Sequence, residues 1–140
     1  MRWVAAALPL FALAGCASPE RDLARLWPGS RDAIRVTIDG REQRDPLPWR
    51  AVDGVFSDGV TTVRESYARG PRGGVRWGLR VEGLVAGRDL LLRVPVRAAD
   101  GSPMALAVNG SPLAAGFGED EAVVHLARDE ATFIDLRVQP

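Results

Sequence analysis

A chain of 140 residues, 46% apolar and 26% charged, has room for one packed domain and little else. Its 18 basic and 18 acidic residues balance, so there is no basic excess to neutralise phosphates, which argues against a nucleic-acid partner. Fifteen glycines and ten prolines suit a turn-dense β protein, and every basic residue is arginine. Codon bias in a GC-rich genome explains the arginines; selection for bidentate anion recognition is the sharper alternative.

Residues 1–15 carry the parts of an export signal. Arg2 supplies the positive end, and the run from Val4 to Leu13 is apolar but too short to span a bilayer, which takes about 20 residues. The segment closes on Leu13-Ala14-Gly15-Cys16. These four residues resemble the lipobox of bacterial lipoproteins, in which small residues precede an obligatory cysteine. The resemblance implies a diacylglyceryl thioether on Cys16, cleavage after Gly15, and acylation of the new amino group with a chain such as palmitate. An ordinary signal peptide with an incidental cysteine is the alternative. Against it, Cys16 is the single cysteine of the chain, so it has no internal disulfide partner. Several acyl chains hold a protein to a membrane where one does not. Ala17 and Ser18 lack the Asp that marks inner-membrane retention in two-membrane bacteria. The family pattern therefore implies the outer membrane of the cell envelope, facing the periplasm.

Residues 16–32 read as a lipidated tether. Within it, residues 20–27 make two turns of helix, with Ser18 as cap and Pro28-Gly29 as stop. Leu23, Leu26 and Trp27 share one face, which packs either against the domain or against the bilayer surface. From residue 33 to 140 the period becomes two. Ile34, Val36 and Ile38 alternate with polar residues; so do Val75, Trp77, Leu79 and Val81, then Leu90, Leu92, Val94 and Val96. Met104, Leu106 and Val108 run into Asn109-Gly110; Val124 and Leu126, then Ile134, Leu136 and Val138, complete the set. Residues 60–68 read as a further strand, with Val63 and Tyr67 fitting either face. Asp39-Gly40 and Asn109-Gly110 are hairpin signals, while Asp53-Gly54, Asp58-Gly59 and Asp100-Gly101 mark turns or loops. Residues 40–59, with Pro46 and Pro48, read as an extended loop or weak edge strand. The fold class is all-β, an antiparallel β-sandwich of Ig-like or jelly-roll-like type.

Few residues offer catalysis. His125 is the single histidine and lies in a strand pattern, so a structural or surface role outweighs that of a general base. No Gly-x-Ser-x-Gly elbow accompanies it, and the cysteine is committed to lipid, so neither a Ser-His-Asp triad nor a zinc site is expected. Glu119, Asp120 and Glu121 follow Gly116-Phe117-Gly118. They read as a solvated turn, with a carboxylate-dependent hydrolase or a calcium loop as alternatives. Gly70-Pro71-Arg72-Gly73-Gly74 lacks the Lys-Ser/Thr ending and following helix of a phosphate loop, and reads as a hairpin tip.

Three stretches of the C-terminal half, Leu92-Arg93-Val94-Pro95, Ala107-Val108-Asn109-Gly110-Ser111-Pro112-Leu113 and Phe133-Ile134-Asp135-Leu136-Arg137-Val138, loosely resemble accessory β-sandwich modules of secreted glycoside hydrolases. The resemblance covers residues 75–138. It bears on fold more than ligand, and no binding residue is carried over.

The expected function is a non-catalytic, membrane-anchored envelope lipoprotein whose sandwich binds another envelope component, protein or glycan. A periplasmic carboxylate-dependent hydrolase and a structural subunit of an envelope assembly are the alternatives. No cofactor and no metal are expected. Trp77 sits on an apolar stripe and reads as core. Trp49 and Arg50 follow Pro46-Leu47-Pro48, so Trp49 either caps the open end of the sandwich or, with Arg50, meets a partner.

Overall fold

The computed structural model describes residues 18–27, 34–43, 49–114 and 120–140. They form one helix, α1 (Pro19–Leu26), and eleven strands: β1 (Ile34–Ile38), β2 (Arg41–Glu42), β3 (Arg50–Val52), β4 (Val55–Ser57), β5 (Thr62–Arg69), β6 (Val75–Glu82), β7 (Arg88–Pro95), β8 (Met104–Val108), β9 (Ser111–Leu113), β10 (Glu121–Leu126) and β11 (Ala131–Val138). The smaller sheet runs in the order β10-β7-β1-β2 and the larger β3-β4-β5-β6-β11-β8-β9, with every pairing between these strands antiparallel. An all-β sandwich is what the alternation predicts, and it is what forms.

The core lies between the sheets. Ile34, Val36, Leu90, Leu92, Val94, Val124 and Leu126 come from the smaller sheet. Phe56, Val63, Trp77, Leu79, Val81, Leu106, Ile134 and Leu136 face them from the larger. Period-two alternation puts one face of each strand there, as the burial of alternate residues along β10 illustrates. Val63 resolves to the buried face, and Val138, at the end of β11, turns out to solvent.

Turn chemistry sets the register. Asp39-Gly40, Asp53-Gly54 and Asn109-Gly110 each take positive φ at both residues, the two-residue turn whose twist matches the flanking strands. They pair Ile38 with Arg41, Val52 with Val55 and Val108 with Ser111. Asn109 does more than turn. Its backbone N–H donates to the Phe133 carbonyl at 2.9 Å, and its Oδ1 accepts from the Phe133 N–H at 2.9 Å, extending the ladder onto β11.

Two regions where the sequence left alternatives open take a definite form. Part of the region read as a loop or weak edge strand is a β3–β4 hairpin, added to the larger sheet with Phe56 fully buried. The second is α1, whose apolar face packs into the core. Ser18 Oγ accepts from the Arg21 N–H at 3.3 Å, capping the helix as its residue type predicts. Leu23 and Trp27 are 2% and 6% exposed, and Trp27 packs edge-on against Trp77 with centroids 5.5 Å apart. Burying each such side chain contributes about 1.5–3 kcal/mol. Leu26 O then accepts from the Ala99 N–H at 3.0 Å, tying the last turn to the loop between β7 and β8. Of the two sides open to the Leu23–Trp27 face, the domain takes it. Pro28-Gly29, the expected stop, lies outside the described residues.

Candidate functional site

Trp49 and Arg50 stand at the outer edge of the larger sheet, where Arg50 opens β3 opposite Ser57. The Trp49 ring meets Phe56 edge-on at 5.4 Å and is half-buried. This is a capping arrangement over the edge of the core, and it leaves part of the indole exposed. Its Nε1 is buried and has no hydrogen-bond partner among the described residues. Arg50 is exposed and lines an open depression of about 480 Å³ with Asp53, Val55, Ser57 and Gly59. The structure thus keeps the two residues adjacent but gives them different surroundings. Pro46, Leu47 and Pro48 lie outside the described residues.

His125 is exposed on β10, opposite Leu91 in the β10–β7 ladder. Glu121, at the start of β10, lies 3.5 Å from Arg93. Arg93 also binds Glu42 of β2, and that hydrogen bond in particular raises its pKa further above the ordinary arginine value. Glu119 and the Gly116-Phe117-Gly118 stretch lie outside the described residues, as do residues 1–15 and Cys16. No cluster of three or more metal-ligating side chains occurs among the described residues. Nor is any described helix long and apolar enough to cross a membrane.

At the opposite corner lies a larger concavity that sequence reading missed. It is a groove of about 740 Å³ at the α1 end of the sandwich. One wall is the last turn of α1, another the Pro71–Gly73 turn between β5 and β6, a third the Ala98–Asp100 loop, with the end of β11 below. Gly74 allows the walls to close: a Cβ there would stand 2.2 Å from the Leu136 carbonyl oxygen.

Five charged side chains line the groove. Asp22 pairs with Arg69 at 3.5 Å, and Asp100 accepts from the Ser102 N–H at 2.9 Å. That hydrogen bond holds the Asp100 carboxyl below its ordinary pKa. Arg25, Arg72 and Arg137 have no carboxylate within ion-pair distance among the described residues. They stand far apart in sequence, and only the fold brings them to one groove. Arg72 holds φ 59°, a left-handed conformation uncommon for arginine, at the tip of its turn.

Comparison with known protein families, with curated proteins and with solved structures finds no match.

Proposed function

We propose that this protein is a lipid-anchored lipoprotein of the bacterial envelope, held by Cys16, whose sandwich serves as a non-catalytic module for another envelope component. The observation that carries the reading is a juxtaposition. The lipobox cysteine stands two residues ahead of Ser18, and Ser18 caps a helix whose Leu23 and Trp27 are built into the core. An anchor on Cys16 would therefore hold the folded domain close to the leaflet, without a long flexible spacer between them. The lipobox pattern favours the outer membrane, facing the periplasm. For the envelope partner, protein or glycan, the supporting feature is the exposed edge of the larger sheet, where Trp49 and Arg50 stand side by side. Tryptophan and arginine are the residue types most enriched at binding hot spots.

The test is expression of the full chain and its Cys16→Ser variant in a two-membrane bacterium, followed by fractionation. The parent should sediment with the outer membrane, while the variant accumulates as an uncleaved precursor. An inhibitor of lipoprotein signal peptidase should block cleavage of the parent. Equal processing and equal sedimentation of both chains would overturn the reading. Trp49→Ala should then reduce what co-purifies from detergent-solubilised envelope; an unchanged set of partners would remove this edge from the proposal.

A further inference from the structure

The groove at the α1 end combines three properties: it is concave, it is lined by three arginines with no carboxylate within ion-pair distance among the described residues, and it adjoins the helix nearest to Cys16. Its volume, about 740 Å³, falls within the range typical of small-ligand sites. Its two side-chain carboxylates are engaged with Arg69 and with the Ser102 N–H, whereas Arg25, Arg72 and Arg137 have no carboxylate within ion-pair distance among the described residues. Guanidinium groups bind phosphate oxygens through paired, charge-assisted hydrogen bonds, and arginine is favoured wherever that planar geometry is needed. Distance supplies the rest. The eight residues of α1 span about 12 Å at the helical rise. Two further residues back to Cys16 add at most about 7 Å. Arg25, in the last turn of α1, is thus within about 20 Å of the acylated residue by these reaches.

We propose that this groove binds the phosphate of an anionic phospholipid headgroup through Arg25, Arg72 and Arg137, and so docks the α1 end of the sandwich on the leaflet that holds Cys16. The membrane half of this inference rests on the lipoprotein reading; the phosphate half does not. Docking at this end turns the opposite end, with the 58–61 and 83–87 loops, away from the bilayer. The β3–β4 edge remains clear of the groove.

The experiment titrates the full mature protein, in neutral detergent, with water-soluble short-chain phosphatidylglycerol, short-chain phosphatidylcholine and inorganic phosphate. Binding is followed by backbone amide shifts. Phosphatidylglycerol should move the amides of Gly73, Gly74, Ala99 and Arg137, and bind about tenfold or more tightly than phosphatidylcholine. A triple Arg25→Gln, Arg72→Gln, Arg137→Gln variant should lose about tenfold or more in affinity, at an unchanged melting temperature. Arg→Lys at the same three positions keeps the charge and should restore part of it. Absence of shifts at these amides, or equal affinity of parent and Gln variant, overturns the proposal. Inorganic phosphate binding as tightly as phosphatidylglycerol identifies a free-anion site and overturns the headgroup assignment. The mass of the same sample reports whether Cys16 is acylated. A null titration on acylated protein removes the groove alone; clear shifts on unacylated protein remove the anchor and leave a phosphate site.

Discussion

At one end of the sandwich an aspartate and an arginine close the structure on itself; at the other, three arginines are left facing outward. In the 58–61 loop, Asp58 Oδ1 accepts from the N–H groups of Val60 and Thr61 at 2.9 and 2.7 Å. Its other oxygen binds Arg88 of β7 at 3.2 Å, and the Asp58 side chain is 5% exposed. That network joins the two sheets and consumes its own charges. At the α1 end the side-chain carboxylates are directed to Arg69 and a backbone N–H, and Arg25, Arg72 and Arg137 have none within ion-pair distance among the described residues. The same residue types act as a clamp where they are matched and as a charged surface where they are not.

Seven single substitutions sharpen that contrast. Trp27→Ala should cost about 3 kcal/mol by chemical denaturation, because it removes a buried indole packed against Trp77. A loss below about 1 kcal/mol would make α1 a loosely attached tether, and the α1 end would have no fixed groove wall. Asp58→Ala should cost about 2 kcal/mol, since two N–H groups and a partly buried arginine lose their partner at once. Arg25→Gln, Arg72→Gln and Arg137→Gln, each measured alone, should stay within about 0.5 kcal/mol of the parent. If both ends respond alike, the distinction between clamp and open surface fails. Gly110→Val, away from both ends, should cost about 1 kcal/mol or more, because Gly110 holds φ 83° where a β-branched residue is strained. The smallest effect is at Asp100, whose carboxyl is held below its ordinary value of 3.8 mainly by the Ser102 backbone hydrogen bond. A lowered folded-state pKa gives stability that is present above the unfolded value and disappears as pH falls through the folded one. The difference between the parent and Asp100→Asn should therefore hold constant from neutrality down to about pH 4, then shrink under more acid conditions. A difference that grows on acidification would contradict that assignment.

How far the sequence reached depended on how local the cause was. Asp39-Gly40 and Asn109-Gly110 form their turns from two adjacent residues, and the inward stripes of β6, β7 and β11 repeat every second residue. Both are visible without a structure. The β3–β4 hairpin was harder: its strands are three residues each, Phe56 is the large buried residue of β4, and prolines precede it in the chain. The Asp53-Gly54 turn was the available clue. Trp49 was legible as an aromatic near an edge, but its contact with Phe56 depends on how the hairpin folds back. The α1-end groove left no sequence signal, because Arg25, Arg72 and Arg137 come from a helix, a turn and a closing strand. Arg76 and Asp135 show the same limit. They are joined by hydrogen bonds of 2.7 and 2.9 Å across the β6–β11 ladder, 59 positions apart in the chain.

Orientation at a membrane depends on one residue, Cys16. The most direct measurement is intact and peptide mass spectrometry of the full chain recovered from the bacterial envelope in detergent. The account predicts a mature protein whose first residue is Cys16, carrying a diacylglyceryl group on sulfur and an acyl chain on its amino group. A chain that begins elsewhere, or one with an unmodified Cys16 thiol, would contradict it.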